Sequence, residues 1–161
     1  MIARSVPMAL VALLAASVVA AACPEGLDDG VDIYPTAEEL PENLLRIYLY
    51  FPRPMAATGG RQHVALHDRN GAPVNGAFLA TNQELWSPDR SRLTLLLDPG
   101  RVKTGLAAHQ LMGRALVPGE NYTLVVSGSA RDLQGCPLGG DTIHSFSVTA
   151  ADVEVPAPAA W

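Results

Sequence analysis

Two cysteines, four histidines and two Asp-to-Gly turns carry most of the chemistry that this 161-residue chain can offer. His63 and His67 stand four residues apart. On a helix that spacing puts both imidazoles on one face, ready for zinc. On a strand they lie about 13 Å apart at ~3.3 Å per residue, too far for one ion held at about 2 Å. His109 and Met112, in His109-Gln110-Leu111-Met112, are residue types that copper takes. A periplasmic copper or zinc binder is therefore kept as an alternative, with no metal site assigned. His144, beside Phe146, reads as a half-buried wall residue. Asp68 and Asp132 each lead into a glycine, at Gly71 and Gly135. Calcium wants six to eight oxygens, so Asx-turn chemistry explains both better. Ser127-Gly128-Ser129 lacks the strand-to-helix setting of a nucleophile elbow. No acid, base and nucleophile converge, so no catalytic residue and no cofactor is expected and the chain is not read as an enzyme.

Cys23 and Cys136 are the only thiols, and each precedes a proline. Cys23 follows a distinctive start. Arg4 is the only charge before Glu25, and residues 6–22 are apolar except for Pro7 and Ser17. A positive start, an apolar middle and Ala20-Ala21-Ala22 make a secretory signal of residues 1–22. The chain is thus expected outside the cytoplasm, in the periplasm or on the outer surface. Two fates of Cys23 compete. Val19-Ala20-Ala21-Ala22-Cys23 resembles a bacterial lipobox, although Ala20 stands where leucine is usual. That resemblance implies a diacylglycerol thioether on Cys23 and a membrane tether; this lipoprotein form is the favoured expectation. Alternatively Cys23 pairs with Cys136, as two cysteines in an oxidising compartment suggest. A lipidated Cys23 cannot also pair.

Charge divides the rest. Without residues 1–22 the chain holds 10 basic and 16 acidic side chains, which argues against a nucleic-acid partner. Glu25, Asp28, Asp29, Asp32, Glu38, Glu39 and Glu42 fall in residues 24–42, which hold no basic residue. Residues 23–42 therefore read as an acidic leader or tether, solvated or docked back on the arginines. Residues 43–150 form the folded domain, and residues 151–161, with prolines at 156 and 158, form a flexible tail.

Several stretches of the body alternate with period two. Leu45, Ile47, Leu49 and Phe51 make one face of a first strand, with Arg46, Tyr48 and Tyr50 opposite. Val64 and Leu66 face inward on a second, opposite His63, Ala65 and His67. A short strand is expected over residues 77–81. Leu93, Leu95 and Leu97 line another, Tyr122, Leu124 and Val126 the next, and His144, Phe146 and Val148 the last. The one helical candidate spans residues 106–116 and is interrupted by Gly113. Six or seven short strands between Gly and Pro turns predict an all-β, immunoglobulin-like antiparallel sandwich with Greek-key connections.

The ordered motifs Pro41-Glu42-Asn43-Leu44, Asp68-x-Asn70-Gly71-x-Pro73-Val74, Leu116-Val117-Pro118-Gly119-x-x-Tyr122-Thr123-Leu124 and Asp132-x-x-Gly135-x-Pro137-Leu138 resemble the bacterial Ig-like domain of the S-layer type. The stretch around Glu84-Leu85-Trp86 and Asp98-Pro99-Gly100 also resembles a group of uncharacterised exported bacterial proteins. The resemblance implies a seven-stranded sandwich serving as a structural or adhesive module. A non-catalytic envelope module is thus expected, with a carbohydrate-binding accessory domain as the alternative. Two contact surfaces for a protein or glycan partner are marked. One is a 24-residue segment, 98–121, carrying Arg101, Lys103, His109 and Arg114. The other is the outward face of the first two strands, with Tyr48, Tyr50, His63 and His67 expected near one another.

Overall fold

The computed structural model describes residue 23 and residues 30–56, 58–103 and 105–151. The expected signal segment 1–22 and the tail from residue 152 lie outside the described residues. Along the chain run β1 (Asp32–Tyr34), β2 (Glu39–Pro41), β3 (Arg46–Tyr50), β4 (Val64–Asp68), β5 (Leu85–Trp86) and β6 (Arg92–Leu96). Two short helices follow, α1 (Pro99–Val102) and α2 (Ala107–Met112), then β7 (Asn121–Val126) and β8 (Thr142–Thr149).

The strands form two four-stranded sheets, in the orders β1-β3-β6-β5 and β2-β8-β7-β4. Every pairing is antiparallel except β2 with β8, which is parallel. That is the strand order of an immunoglobulin-like sandwich, in which the first strand divides between the sheets. The period-two patterns set the inner faces. Ile47 and Leu49 of β3 and Leu93 and Leu95 of β6 are buried on one side. Leu66, Tyr122, Leu124, Val126, Phe146 and Val148 are buried on the other. Tyr122 stacks on Phe146 at 5.9 Å, and its hydroxyl accepts a hydrogen bond from Val117 N at 3.0 Å. This ties the start of β7 to the chain just before it, as a tyrosine corner does.

Three expectations shift. Leu45 is 46 % exposed rather than inward, because β3 begins one residue later and Leu45 contributes its carbonyl to Leu97 N instead. Residues 77–81 are not a regular strand: they meet the end of β6 through a Phe78–Leu97 bridge and a bond from Leu79 N to Leu96 O. The short β5 takes the middle of that edge, at Leu93 and Thr94. The third change concerns the acidic leader. Val31, Ile33 and Leu40 are buried, and β1 and β2 are edge strands of the two sheets. The sandwich therefore begins near residue 31 rather than 43. The acids Asp32, Glu38 and Glu39 mark the solvent side of those strands; they do not mark a free tether.

Cys23 is bonded to Cys136, with their Cα atoms 5.4 Å apart. The disulfide uses the sulfur that a lipid thioether needs, so of the two exclusive fates the structure holds this one. Cys136 is buried and sits in a turn built by Asp132, whose Oδ1 accepts from Gln134 N and Cys136 N at 2.9 and 2.8 Å. Its Oδ2 pairs with Arg53 Nε at 2.9 Å. The bond closes a separation of 113 residues. Replacing both cysteines by serine should lower unfolding free energy by about 2–5 kcal/mol, measured by denaturant unfolding of oxidised and variant protein.

Candidate functional site

The outer face of the β1-β3-β6-β5 sheet gathers the tyrosines. Alternation that buries Ile33, Ile47 and Leu49 turns Tyr34, Tyr48 and Tyr50 outward. Tyr34 and Tyr48 are direct cross-strand partners, with ring centroids 6.3 Å apart. Tyr48 and Tyr50 are two residues apart on β3, at 6.5 Å. Tyr34 and Tyr50 are 55 % and 42 % exposed. The rings tilt by 38° and 43° to one another, as the twist of the sheet requires. Arg92, opposite Tyr50 on β6, lays its guanidinium 5.5 Å from the Tyr48 ring centre, a cation–π contact that orients the central ring.

The expected cluster of these tyrosines with His63 and His67 does not form. β3 belongs to one sheet and β4 to the other, so their outward faces look in opposite directions. His63 lies in a 3-10 turn before β4 and its Nδ1 meets Ser129 Oγ at 3.0 Å. His67 lines an open groove of about 860 Å³ on the outside of the second sheet, with Glu39, Thr123 and Ser145. Thr123 Oγ1 and Ser145 Oγ are 3.2 Å apart there.

The basic segment also changes character. Arg101 is only 5 % exposed. Its guanidinium donates to the carbonyls of Asn75, Met112, Gly113 and Arg114 at 2.8–3.3 Å. It therefore ties α1 to the end of α2, and no contact surface can use it. The reason is local: α2 ends at Gly113, φ 71°, and leaves carbonyls that need donors. His109 Nδ1 meets the Arg101 carbonyl at 3.1 Å. Arg114 pairs with Glu42, whose other oxygen accepts from Ala151 N at 3.3 Å. That contact joins the end of β2 to the segment before β7. Only Lys103 of the four is a well-exposed cation. Met112 is 52 % exposed. Among the described residues no three His, Cys, Asp or Glu side chains group to hold a metal ion, and no helix is long and apolar enough to cross a membrane.

Sequence reasoning missed Tyr34 and Arg92. Val31-Asp32-Ile33-Tyr34 alternates as a strand does, and that signal was available beneath the acidic composition. Arg92 needed the β3–β6 register, which the chain does not spell out.

No family model and no curated protein matches the chain. Among solved structures it is similar to the native conformation of Escherichia coli alpha-2-macroglobulin, with 10% identity over 76% of this chain and 6% of that one and a TM-score of 0.43. It is similar to the crystallised MG0-NIE-MG1 portion of the same protein, with 10% identity, 76% and 33% coverage and a TM-score of 0.43. It is also similar to CopC from Methylosinus trichosporium OB3b, with 12% identity over 77% of this chain and 96% of that one and a TM-score of 0.45. The chain thus spans a small part of the macroglobulin and nearly all of CopC. Its own strand order defines its class, an immunoglobulin-like β-sandwich.

Two outcomes follow for the groups described. Arg101→Leu strips donors from buried carbonyls and should cost about 3 kcal/mol, seen as a lower unfolding midpoint and faster proteolysis in the 98–121 segment. Asp89 is held at about 2, below its ordinary 3.8, by the hydroxyls of Ser87 and then Ser91. Its folded-state stabilisation is complete above the ordinary value and disappears as pH falls towards about 2. In a carboxyl NMR titration, Ser87→Ala should move the Asp89 midpoint upward.

Proposed function

We propose that this protein is a non-catalytic binding module of the bacterial envelope that lays its Tyr34–Tyr48–Tyr50 face along a glycan chain. The row of outward rings carries the reading. Aromatic faces stack on the apolar faces of sugar rings, while the phenolic hydroxyls remain free to hydrogen-bond. Mutually tilted rings follow a single, twisted chain better than a flat crystalline surface. Arg92 and Arg46 on the same sheet face supply donors for sugar hydroxyls.

Export supports the setting, through the signal-like residues 1–22 and the Cys23–Cys136 bond, which needs an oxidising compartment. That bond takes the sulfur a lipid thioether needs, which supports reading the module as diffusible rather than lipid-tethered. Intact mass of the protein recovered from its own host separates these: two hydrogens fewer than the cleaved polypeptide for the disulfide, a diacylglyceryl adduct for the lipoprotein.

The face itself is tested with a panel of soluble 1,4-linked glucan, mannan and chitin oligosaccharides. Saturable binding to at least one of them is expected. Tyr48→Ala and Tyr50→Ala should each weaken it by about threefold to tenfold, with little change in unfolding. Binding indifferent to both substitutions, or no binding across the panel, leaves a structural module instead.

A further inference from the structure

A second site lies at one end of the sandwich, apart from the tyrosine face. A cavity of about 930 Å³, open to solvent, lies between the loop around residues 58–62 and the segment 81–90. Its volume is that of a small-ligand pocket, and its walls are set by an acid already committed. Glu84 Oε1 accepts from Arg61 N at 2.8 Å, and Oε2 accepts from Gly60 N at 3.0 Å and Trp86 Nε1 at 2.9 Å. One carboxylate thereby pins both rims of the cavity and the indole between them. Gly60 is required here: a Cβ at that position would come within 2.4 Å of the Trp86 ring. Arg61 is committed too, donating from Nη1 to the Leu79 carbonyl at 2.6 Å.

What remains in the wall is chemically specific. Gln62, Asn82 and Gln83 present primary amides, each both donor and acceptor, the complement of a sugar hydroxyl. The Gln62 amide has only a long 3.5 Å contact to His63 Nε2. Arg90 adds a guanidinium that makes no hydrogen bond or ion pair with another described residue. It is carried on a tight turn in which Arg90 N donates to Ser87 O. Its φ of 58° makes it the one non-glycine residue with positive φ among the described residues. Backbone strain of this kind costs free energy and persists where surrounding structure holds it. The neighbouring Asp89 stays ionised but forms no ion pair with Arg90; its carboxylate accepts instead from the Ser87 and Ser91 hydroxyls.

We infer that this cavity binds a uronic-acid residue of an acidic saccharide, with the three amides on its hydroxyls, Trp86 against its ring and Arg90 on its carboxylate. The unpaired guanidinium selects the acid: a carboxylate gives it a charge-assisted, bidentate partner, which a neutral hexose does not.

The test compares two matched probes, 1,4-linked mannuronate trisaccharide and 1,4-linked mannotriose, which differ at the carboxylate. The full disulfide-bonded protein is titrated with each by NMR, following the side-chain amides of Gln62, Asn82 and Gln83 and the Trp86 indole N–H. The expected result is saturable shifts of these groups with the mannuronate probe and affinity about tenfold or more above mannotriose. Arg90→Asn should remove that preference without unfolding the protein, since Asn tolerates positive φ. Binding at this cavity should persist in Tyr48→Ala, so failure of the tyrosine face and failure of this site are separable. Equal affinity for the two probes, a preference that survives Arg90→Asn, or no shift of the cavity groups with mannuronate overturns the assignment.

Discussion

Everything on the surface of this protein follows from the packing of two inner faces against each other. Ile47, Leu49, Leu93 and Leu95 come from one sheet, and Leu124, Val126, Phe146 and Val148 from the other; all are buried. Burial of this apolar area is the main favourable term in the fold. Because side chains alternate along a strand, placing these residues inside leaves no freedom for their neighbours. Tyr48 and Tyr50 must point outward once Ile47 and Leu49 point in. Tyr34 joins them because Ile33 is buried and β1 pairs in register with β3. The aromatic face is thus a geometric consequence of the core, and slipping β3 by one residue would bury the tyrosines and expose the leucines.

The ends of the sandwich obey a different constraint, the need to satisfy backbone and charged groups where strands stop. Arg101 answers four carbonyls around the end of α2. Asp132 answers two amides and an arginine beside Cys136. Glu84 answers two amides and an indole. In each case an ionisable side chain is committed to structural hydrogen bonds. At the third, the spent carboxylate leaves Arg90 and a set of amides facing a cavity, which is how a structural knot can also shape a binding site.

Much of the architecture was legible in the sequence. The alternating runs around Leu49, Leu95, Leu124 and Phe146 announced their strands. The Asp68 and Asp132 turns form as Asx chemistry requires, with Gly71 and Gly135 at φ 78° and 82°. The site was legible only in part. Tyr48 and Tyr50 were identified, but their pairing with His63 and His67 failed because adjacent strands in sequence went to opposite sheets. Arg101 and Arg114 are marked by the sequence for a cationic contact surface, yet one is buried and the other pairs with Glu42. Composition shows that a charge exists; whether it is available depends on which acceptors the fold brings within hydrogen-bonding distance. The acidic leader misled for the same reason: acids on the exposed side of an edge strand look like a solvated spacer when counted rather than placed.

By itself the sequence determined the class of fold, the inward rows and the turns, because these depend on periodicities of two to four residues that any stretch of chain carries with it. For Cys23 it favoured a lipid over a disulfide. Only the tertiary structure brings Cys23 to Cys136, across 113 residues. It likewise decided that Tyr34 completes the aromatic row, that β2 pairs in parallel with β8, and that Gln62, Asn82, Trp86 and Arg90 share one cavity. Each of these is a meeting of segments distant in sequence, and such meetings are settled by the shared core rather than by local pattern.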